Sequence, residues 1–98
     1  MTHSTINIED ESGGSVRSYY HTIDITSLDT AGVEDYSPGA TFGGLGVYGV
    51  AVVGQEPADL FIRWDHVNEQ LHVTDASDGT TVAQGTDVGE VVLRVDGK

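Results

Sequence analysis

Apolar and polar residues alternate along several short segments of this chain, and this alternation is its strongest structural pattern. The clearest segments run from Leu60 to Asp65, from Leu71 to Thr74 and from Val91 to Val95. A period of two places successive side chains on opposite faces of a half-buried β-strand. No window repeats apolar residues with the period of an amphipathic helix over several turns. The pattern therefore predicts an all-β protein.

Less regular runs extend the strand prediction to the rest of the chain. We expect strands at Thr5–Glu9, at Val16–Leu28, at Leu45–Val53 and around Val82, separated by turns such as residues 11–14. Residues 29–41 are predicted to form a loop with at most one helical turn. Strands at this spacing predict a single domain, residues 1–98, built as a small antiparallel sandwich or partly open barrel of about six to eight strands with a C-terminal meander.

The alternation also predicts the register of the hairpin that follows Leu60. Its even-numbered apolar residues must share the core face with the odd-numbered ones of the next strand, because a slip of one residue would expose the whole set. A two-residue turn at Asn68-Glu69 would place Trp64 opposite Val73 and Asp65 opposite His72. Trp64 is then expected to be largely buried.

A second hairpin is predicted around Asp78-Gly79. This dipeptide favours a type I′ turn, in which both central residues have positive φ. Such a turn would place Asp75 opposite Val82.

Charge adds a prediction about the environment. The chain carries 16 Asp plus Glu against 4 Lys plus Arg, a formal net charge of −12 on 98 residues. Repulsion within such a surface destabilises the folded state at ordinary ionic strength, whereas the Debye length falls to about 3 Å at 1 M salt. We therefore expect a protein of a halophilic archaeon, adapted to molar salt.

Several protein classes are excluded or disfavoured by composition. The chain has no cysteine, which excludes disulfides, thiol catalysis and cysteine-ligated metals. No apolar run approaches the roughly 18 residues of a membrane span, and the first residues lack the pattern of a signal peptide. The expected location is the cytoplasm, without membrane association.

Motifs with a specific chemistry are weak. Residues 44–49 match G-x-G-x-x-G, but strand-forming residues follow where a dinucleotide site needs a helix. The acidic groups at residues 9–11 and 75–78 lack the spacing of a calcium loop. The four histidines, His3, His21, His66 and His72, show no zinc-ligand spacing. We expect no cofactor, no metal and no catalytic residue.

A few residues are candidates for a binding surface. Tyr19 and Tyr20, with Arg17 nearby, could stack bases as oligonucleotide-binding barrels do, although adjacent strand residues face opposite sides. Asp65 and His72 are predicted to form an exposed cross-strand pair. His21 is interpreted as a core histidine whose ring nitrogens are hydrogen-bonded.

The function that these observations favour is non-enzymatic binding or assembly with an unknown protein partner. Two alternatives stay open. One is a nucleic-acid-binding β-barrel that uses the Tyr19-Tyr20 strand. The second is a small carboxylate-dependent enzyme with its site in a barrel mouth, for which two inward carboxylates beside an aromatic pocket would be the indication. A pocket with converging polar groups would favour small-molecule chemistry, whereas an exposed apolar patch would favour a protein partner.

Overall fold

The computed structural model describes residues 2–11 and 16–98. The predicted turn at residues 11–14 falls largely on Ser12, Gly13 and Gly14, which lie outside the described residues. The described part contains seven strands and one short helix: β1 (His3–Asp10), β2 (Arg17–Ile25), β3 (Val33–Asp35), α1 (Pro38–Thr41), β4 (Val47–Gln55), β5 (Leu60–Asp65), β6 (Gln70–Asp75) and β7 (Gly89–Gly97).

The strands form two antiparallel sheets. The larger has the order β1-β2-β7-β4, and the smaller has the order β3-β6-β5. The prediction of an all-β antiparallel sandwich with about six to eight strands is confirmed. β4 lies next to β5, and Glu34 of β3 contacts His3 of β1, so the two sheets face each other along their width.

The core lies between the inner faces of the two sheets. Strict alternation in β7 buries Val91, Leu93 and Val95 completely, and β2 contributes Ile23 and Ile25 from the adjacent positions. The smaller sheet supplies the residues on the other side, together with apolar residues from the connecting segments: Leu28, Tyr36, Leu45, Ile62, Leu71, Val73 and Val88. Burial of this apolar surface is the main force that holds the two sheets together.

The predicted C-terminal meander is formed only as far as β5 and β6. After β6, a single isolated bridge joins Thr74 to Thr81, and Val82 lies outside any strand. The chain then crosses to the larger sheet, where β7 pairs with β2 on one side and β4 on the other. In this position the apolar face of β7 is buried along the strand, and both of its backbone edges are paired.

The first hairpin has the predicted faces but a different register. Trp64 lies opposite Leu71, and Asp65 lies opposite Gln70, two positions from the predicted partners. The cause is a longer loop of residues 66–69, closed by Glu69 with a φ of 52°. A shift of two residues keeps every side chain on its predicted face. Trp64 is only partly buried, and its ring packs against that of Tyr36 in a T-shaped arrangement with the ring centroids 5.9 Å apart.

The second hairpin is not a type I′ turn. Gly79 has the predicted positive φ of 74°, but Asp78 is not among the described residues with positive φ. The amide of Asp75 donates to the carbonyl of Thr80 at 2.8 Å, so Asp75 faces Thr80 rather than Val82. The loop has four residues, and glycine is needed only at its last position.

The segment predicted as a loop, residues 29–41, contains β3 and α1. β3 is an edge strand of three residues that pairs with β6, and α1 is a single turn that begins at Pro38. β3 was missed because such a short strand carries no periodicity of its own, whereas α1 is one helical turn within the predicted loop. This segment closes one side of the sandwich and forms the wall of the site described below.

Candidate functional site

A cavity of about 420 Å³ opens at the side of the sandwich where β1 and β3 meet. The larger sheet has one strand more than the smaller, so the smaller sheet leaves part of the inner face of the larger one uncovered. The segment from Asp35 to Thr41 covers a portion of this uncovered face. The side chains that line the cavity include His3, Thr5 and His21 on one wall and Asp35, Ser37 and Thr41 on the other. We call this space the His3 cavity.

Behind the His3 cavity lies a fully buried carboxylate, Glu34. Three donors converge on its oxygens: the hydroxyl of Thr2, Nδ1 of His3 at 2.5 Å and the backbone amide of Asp29 at 3.0 Å. Burying a charged group without such partners would be strongly unfavourable. Because the carboxylate accepts from His3, the ring carries a proton on Nδ1, and Nε2 is turned away from Glu34.

A second polar chain runs beside the first. His21 is 2% exposed, and its Nδ1 lies 2.6 Å from the hydroxyl of Tyr36, while its Nε2 lies 2.8 Å from the hydroxyl of Thr5. Burial lowers the pKa of His21, and repulsion from His3 when that ring is protonated lowers this pKa further. Burial also raises the pKa of Tyr36 well above its ordinary value. Both side chains are therefore neutral, and the interpretation of His21 as a hydrogen-bonded core histidine agrees with the structure.

The proton positions in this chain follow from the burial of Tyr36. Its hydroxyl is in a residue that is 1% exposed, and His21 Nδ1 is its hydrogen-bond partner. Because His21 Nδ1 is the only partner of this hydroxyl among the described residues, the Tyr36 O–H group donates its hydrogen bond to Nδ1. His21 then carries its proton on Nε2 and donates it to Thr5. The hydroxyl proton of Thr5 is left to point away from His21, on the side of the His3 cavity.

The opposite wall is acidic. Asp35 accepts a hydrogen bond from the side-chain amide of Gln70 at 3.0 Å. A hydrogen bond with Asp35 raises the pKa of Asp29, and burial and the negative charges of Asp35 and Glu34 raise it further. On the same wall, Thr41 donates to the carbonyl of Ser37 at 2.9 Å, and the Ser37 hydroxyl makes no capping bond to α1.

The tyrosines predicted as a binding surface lie on opposite faces of β2. Tyr19 is on the inner face, where its ring stacks on Phe42 with centroids 4.3 Å apart. Tyr20 is on the outer face, opposite Glu9 of β1 and Arg94 of β7. Arg17 is exposed at the start of β2. None of these residues lines the His3 cavity.

Asp65 and His72 form a hydrogen bond of 3.0 Å between Oδ2 and Nε2, from diagonal positions rather than directly opposite ones. Asp65 also accepts from the backbone and side-chain nitrogens of Asn68. These bonds, with a smaller contribution from His72, lower the pKa of Asp65 to about 2. The pair lies on β5 and β6, apart from the His3 cavity.

Sequence reasoning named His3 and His21 but did not place them in a site, and it missed Thr5, Glu34 and Tyr36. Glu34 lies in β3, and Tyr36 follows directly after this strand. The two residues are two positions apart and point to the same side, as an extended segment here would have predicted. The contact of β3 with β1 joins residues that are 31 positions apart in the chain. No local pattern predicts such a contact.

The residues of the remaining sequence motifs are not among those that line the His3 cavity. The glycines at 44–49 lead into β4 rather than into a helix. Among residues 2–11 and 16–98, no group of three or more His, Asp or Glu side chains could hold a metal ion. The same residues contain no helix that is long and apolar enough to cross a membrane. No protein-family model, curated protein or solved structure matches this chain.

Proposed function

We propose that this protein is a non-enzymatic binding module whose ligand is a small polar molecule held in the His3 cavity. The observation that carries the proposal is the complete burial of Glu34 directly behind His3, one of the side chains that line the cavity. A buried carboxylate that holds one ring nitrogen of a histidine fixes the direction and proton state of the other ring nitrogen. This arrangement supports ligand recognition by a preoriented polar group.

Burying polar side chains at positions 34 and 21 is unfavourable for the free energy of folding. A hydrophobic side chain at position 34 or 21 would fit the alternation of its strand and would need no hydrogen-bond partner. Buried ionic groups are often replaced by apolar residues with no loss of stability, or with a gain. Departures from the apolar pattern of a core are expected at functional sites. The polar residues behind the cavity are therefore better explained by binding than by folding.

The proposal is tested by nuclear magnetic resonance with a small-molecule fragment set that contains acids, amines, neutral amides and polyols. We expect saturable shifts centred on His3, Thr5, His21 and Ser37 with at least one chemical class. Glu34→Gln should weaken these shifts, while the exposed Glu9→Gln serves as the matched control. If no class produces shifts at these residues at millimolar concentration, the proposed function is wrong.

Assembly with a protein partner is a second candidate, supported by the exposed edge of β1. Ile6 and Ile8 on this strand are 53% and 44% exposed. Unpaired edge strands with apolar side chains are surfaces through which chains associate. A bulge between Thr5 and Asn7 interrupts the regular edge and leaves residues 7–9 for pairing. Light scattering should then detect self-association that Ile8→Lys abolishes. A monomer mass at every concentration would contradict assembly between copies through β1.

Nucleic-acid binding and catalysis have narrower support. Nucleic-acid binding would depend on Tyr20, because Tyr19 is stacked on Phe42. Catalysis would use His3 as a general base, which requires a hydroxyl or a substrate proton within hydrogen-bond reach of Nε2. Among the described residues no hydroxyl bonds to this nitrogen, so a substrate would have to supply the proton. We rank both of these functions below small-molecule binding.

We further propose that the module works in the cytoplasm of a halophilic archaeon. The support is the charge of −12 together with a core of modest size. Raising KCl from about 0.1 M to 2 M should raise the melting temperature steeply, because screening removes the repulsion between carboxylates. Thermal unfolding followed by circular dichroism measures this effect. A melting temperature that stays constant or falls would contradict the halophilic assignment.

A further inference from the structure

We infer that the ligand of the His3 cavity presents an amide-like edge, in which an N–H donor stands beside a carbonyl acceptor. This inference rests on the proposed function and specifies the chemistry of its ligand. His3 Nε2 would accept from the ligand N–H, and the Thr5 hydroxyl would donate to the ligand carbonyl. The chemical class includes lactams, cyclic imides, ureido groups and primary amides.

His3 supplies the acceptor. Nδ1 of His3 donates a hydrogen bond to Glu34, so in the neutral form of the ring the lone pair is on Nε2. The two ring nitrogens point in nearly opposite directions, and Glu34 is buried behind the ring. Nε2 therefore faces outward, and no described residue forms a hydrogen bond with it. A ligand that brings a hydrogen-bond donor satisfies this atom.

Thr5 supplies the donor. Its oxygen accepts a hydrogen bond from Nε2–H of His21, because the Tyr36 hydroxyl donates a hydrogen bond to Nδ1 of the same ring. The Thr5 hydroxyl proton must then go to another acceptor, and Thr5 lines the cavity. Two buried side chains, Tyr36 and His21, thus make the exposed Thr5 hydroxyl a hydrogen-bond donor towards the cavity.

The two groups stand side by side. His3 and Thr5 are opposite Ile25 and Ile23 on β2, so both belong to the inner face of β1. Residues two apart on a strand point the same way and are separated by about 6.6 Å along it. Side chains that converge from such positions can contact two neighbouring atoms of one small ligand. An acceptor beside a donor is complementary to an N–H beside a C=O.

Charge in the cavity favours a neutral ligand over an anion. Asp35 lines the cavity, and Glu34 is buried behind His3. A hydrogen bond with Asp35 raises the pKa of Asp29, and burial and the negative charges of Asp35 and Glu34 raise it further. A carboxylate ligand would also place an acceptor against the lone pair of His3. A lactone or an N-alkylated amide has no proton to give to Nε2. These three classes are therefore expected to bind less well than an amide with a free N–H.

The test uses four neutral probes of nearly the same size: 2-pyrrolidinone, N-methyl-2-pyrrolidinone, γ-butyrolactone and cyclopentanone. Each is titrated into the wild-type protein, and affinities are read from nuclear magnetic resonance shifts at His3 and Thr5. We expect 2-pyrrolidinone to bind about tenfold or more tightly than the other three, because only it satisfies both protein groups. Acetate added to the same sample should bind more weakly than 2-pyrrolidinone.

Two further measurements separate recognition from a structural role. Lowering the pH until the spectrum shows both protons on the His3 ring should remove the preference for 2-pyrrolidinone over γ-butyrolactone, since Nε2 is then a donor. Thr5→Val should weaken all four probes, whereas Thr5→Ser should restore them. Thr22→Val, on the outer face of β2, is the matched control and should change none of the affinities.

The outcomes distinguish this inference from the proposed function. Equal binding of 2-pyrrolidinone and its N-methyl form at His3 and Thr5 would overturn the amide-edge inference and leave binding in the cavity intact. Preferential binding of acetate would overturn it in the same way. If the four probes produce no shifts at His3 and Thr5 while another class from the fragment set does, the inference alone is wrong. If no compound of either set shifts these residues, both proposals are wrong.

Discussion

Two parts of the interior are equally buried and are held by different forces. In the centre, Ile23, Val73 and Leu93 are completely buried among other apolar side chains. At the side where β1 and β3 meet, Glu34 and His21 are buried to the same degree among hydrogen-bond donors and acceptors. The centre is stabilised by non-directional burial. The polar side depends on each hydrogen bond being made, because an unsatisfied buried group is costly.

The apolar and the polar part of the interior meet between two successive inner-face positions of β2. His21 and Ile23 are neighbours on the inner face of β2, and His21 lies directly opposite Leu93 of β7. The strand alternation therefore continues unbroken while the chemistry changes from apolar to polar. The polar side is therefore a regular part of the sandwich. The backbone positions its residues as well as it positions the core.

The largest effect is expected in the centre. Leu93→Ala removes a completely buried side chain from the middle strand of the larger sheet and should lower the free energy of unfolding by about 2–5 kcal/mol. Urea denaturation measures this loss, and Val92→Ala, on the outer face of the same strand, is the control. Binding in the His3 cavity should be retained below the unfolding transition. A loss under about 1 kcal/mol would mean that the centre is less tightly packed than described.

A smaller loss of stability and a larger loss of binding are expected on the polar side. Glu34→Gln keeps the size of the side chain, but its amide nitrogen replaces one carboxylate oxygen and cannot accept from the donors there, either Thr2 and His3 or the amide of Asp29. Leaving a buried donor unsatisfied should cost about 1–3 kcal/mol of unfolding free energy. The exposed Glu9→Gln should cost nearly nothing. If Glu34→Gln is neutral for stability and for probe binding, the carboxylate does not orient His3.

The smallest expected effect is a dependence on pH that belongs to His21. Its pKa is lowered in the folded state from an ordinary value of 6.5, so the unfolded chain binds more protons as the pH falls below that value. Stability should therefore decrease from about pH 7 to 5.5, with a slope of at most about 1.4 kcal/mol per pH unit from this residue. The raised pKa of Asp29 acts in the opposite direction, because the folded state then binds the extra proton.

The control for this pH dependence is a histidine on the surface. His21→Gln should reduce the slope of unfolding free energy between about pH 7 and 5.5, measured by urea denaturation at closely spaced pH values. His66→Gln, in the exposed loop after β5, should leave the slope as it is in the wild type. An unchanged slope in His21→Gln would show that burial does not hold His21 neutral.

The apolar centre and the polar side also differ in how well the sequence predicts them. The apolar centre was predictable, because alternation in β2, β5, β6 and β7 marks its residues directly. The register of the hairpins was predictable in parity but not in detail, since loop lengths such as residues 66–69 depend on where the strands stop pairing. The candidate site was not predictable. It requires β3, which is three residues long, to meet β1 across the sandwich.

The tautomers of His3 and His21 report the hydrogen-bond directions on the polar side of the protein without any ligand. Long-range proton–nitrogen correlation spectra of the wild-type protein at neutral to slightly alkaline pH report which ring nitrogen carries the proton. We predict a proton on Nδ1 of His3, held by Glu34, and a proton on Nε2 of His21, donated to Thr5. Glu34→Gln should convert His3 to a mixture of tautomers and leave His21 unchanged. A proton on Nε2 of His3 or on Nδ1 of His21 in the wild-type protein would contradict the account.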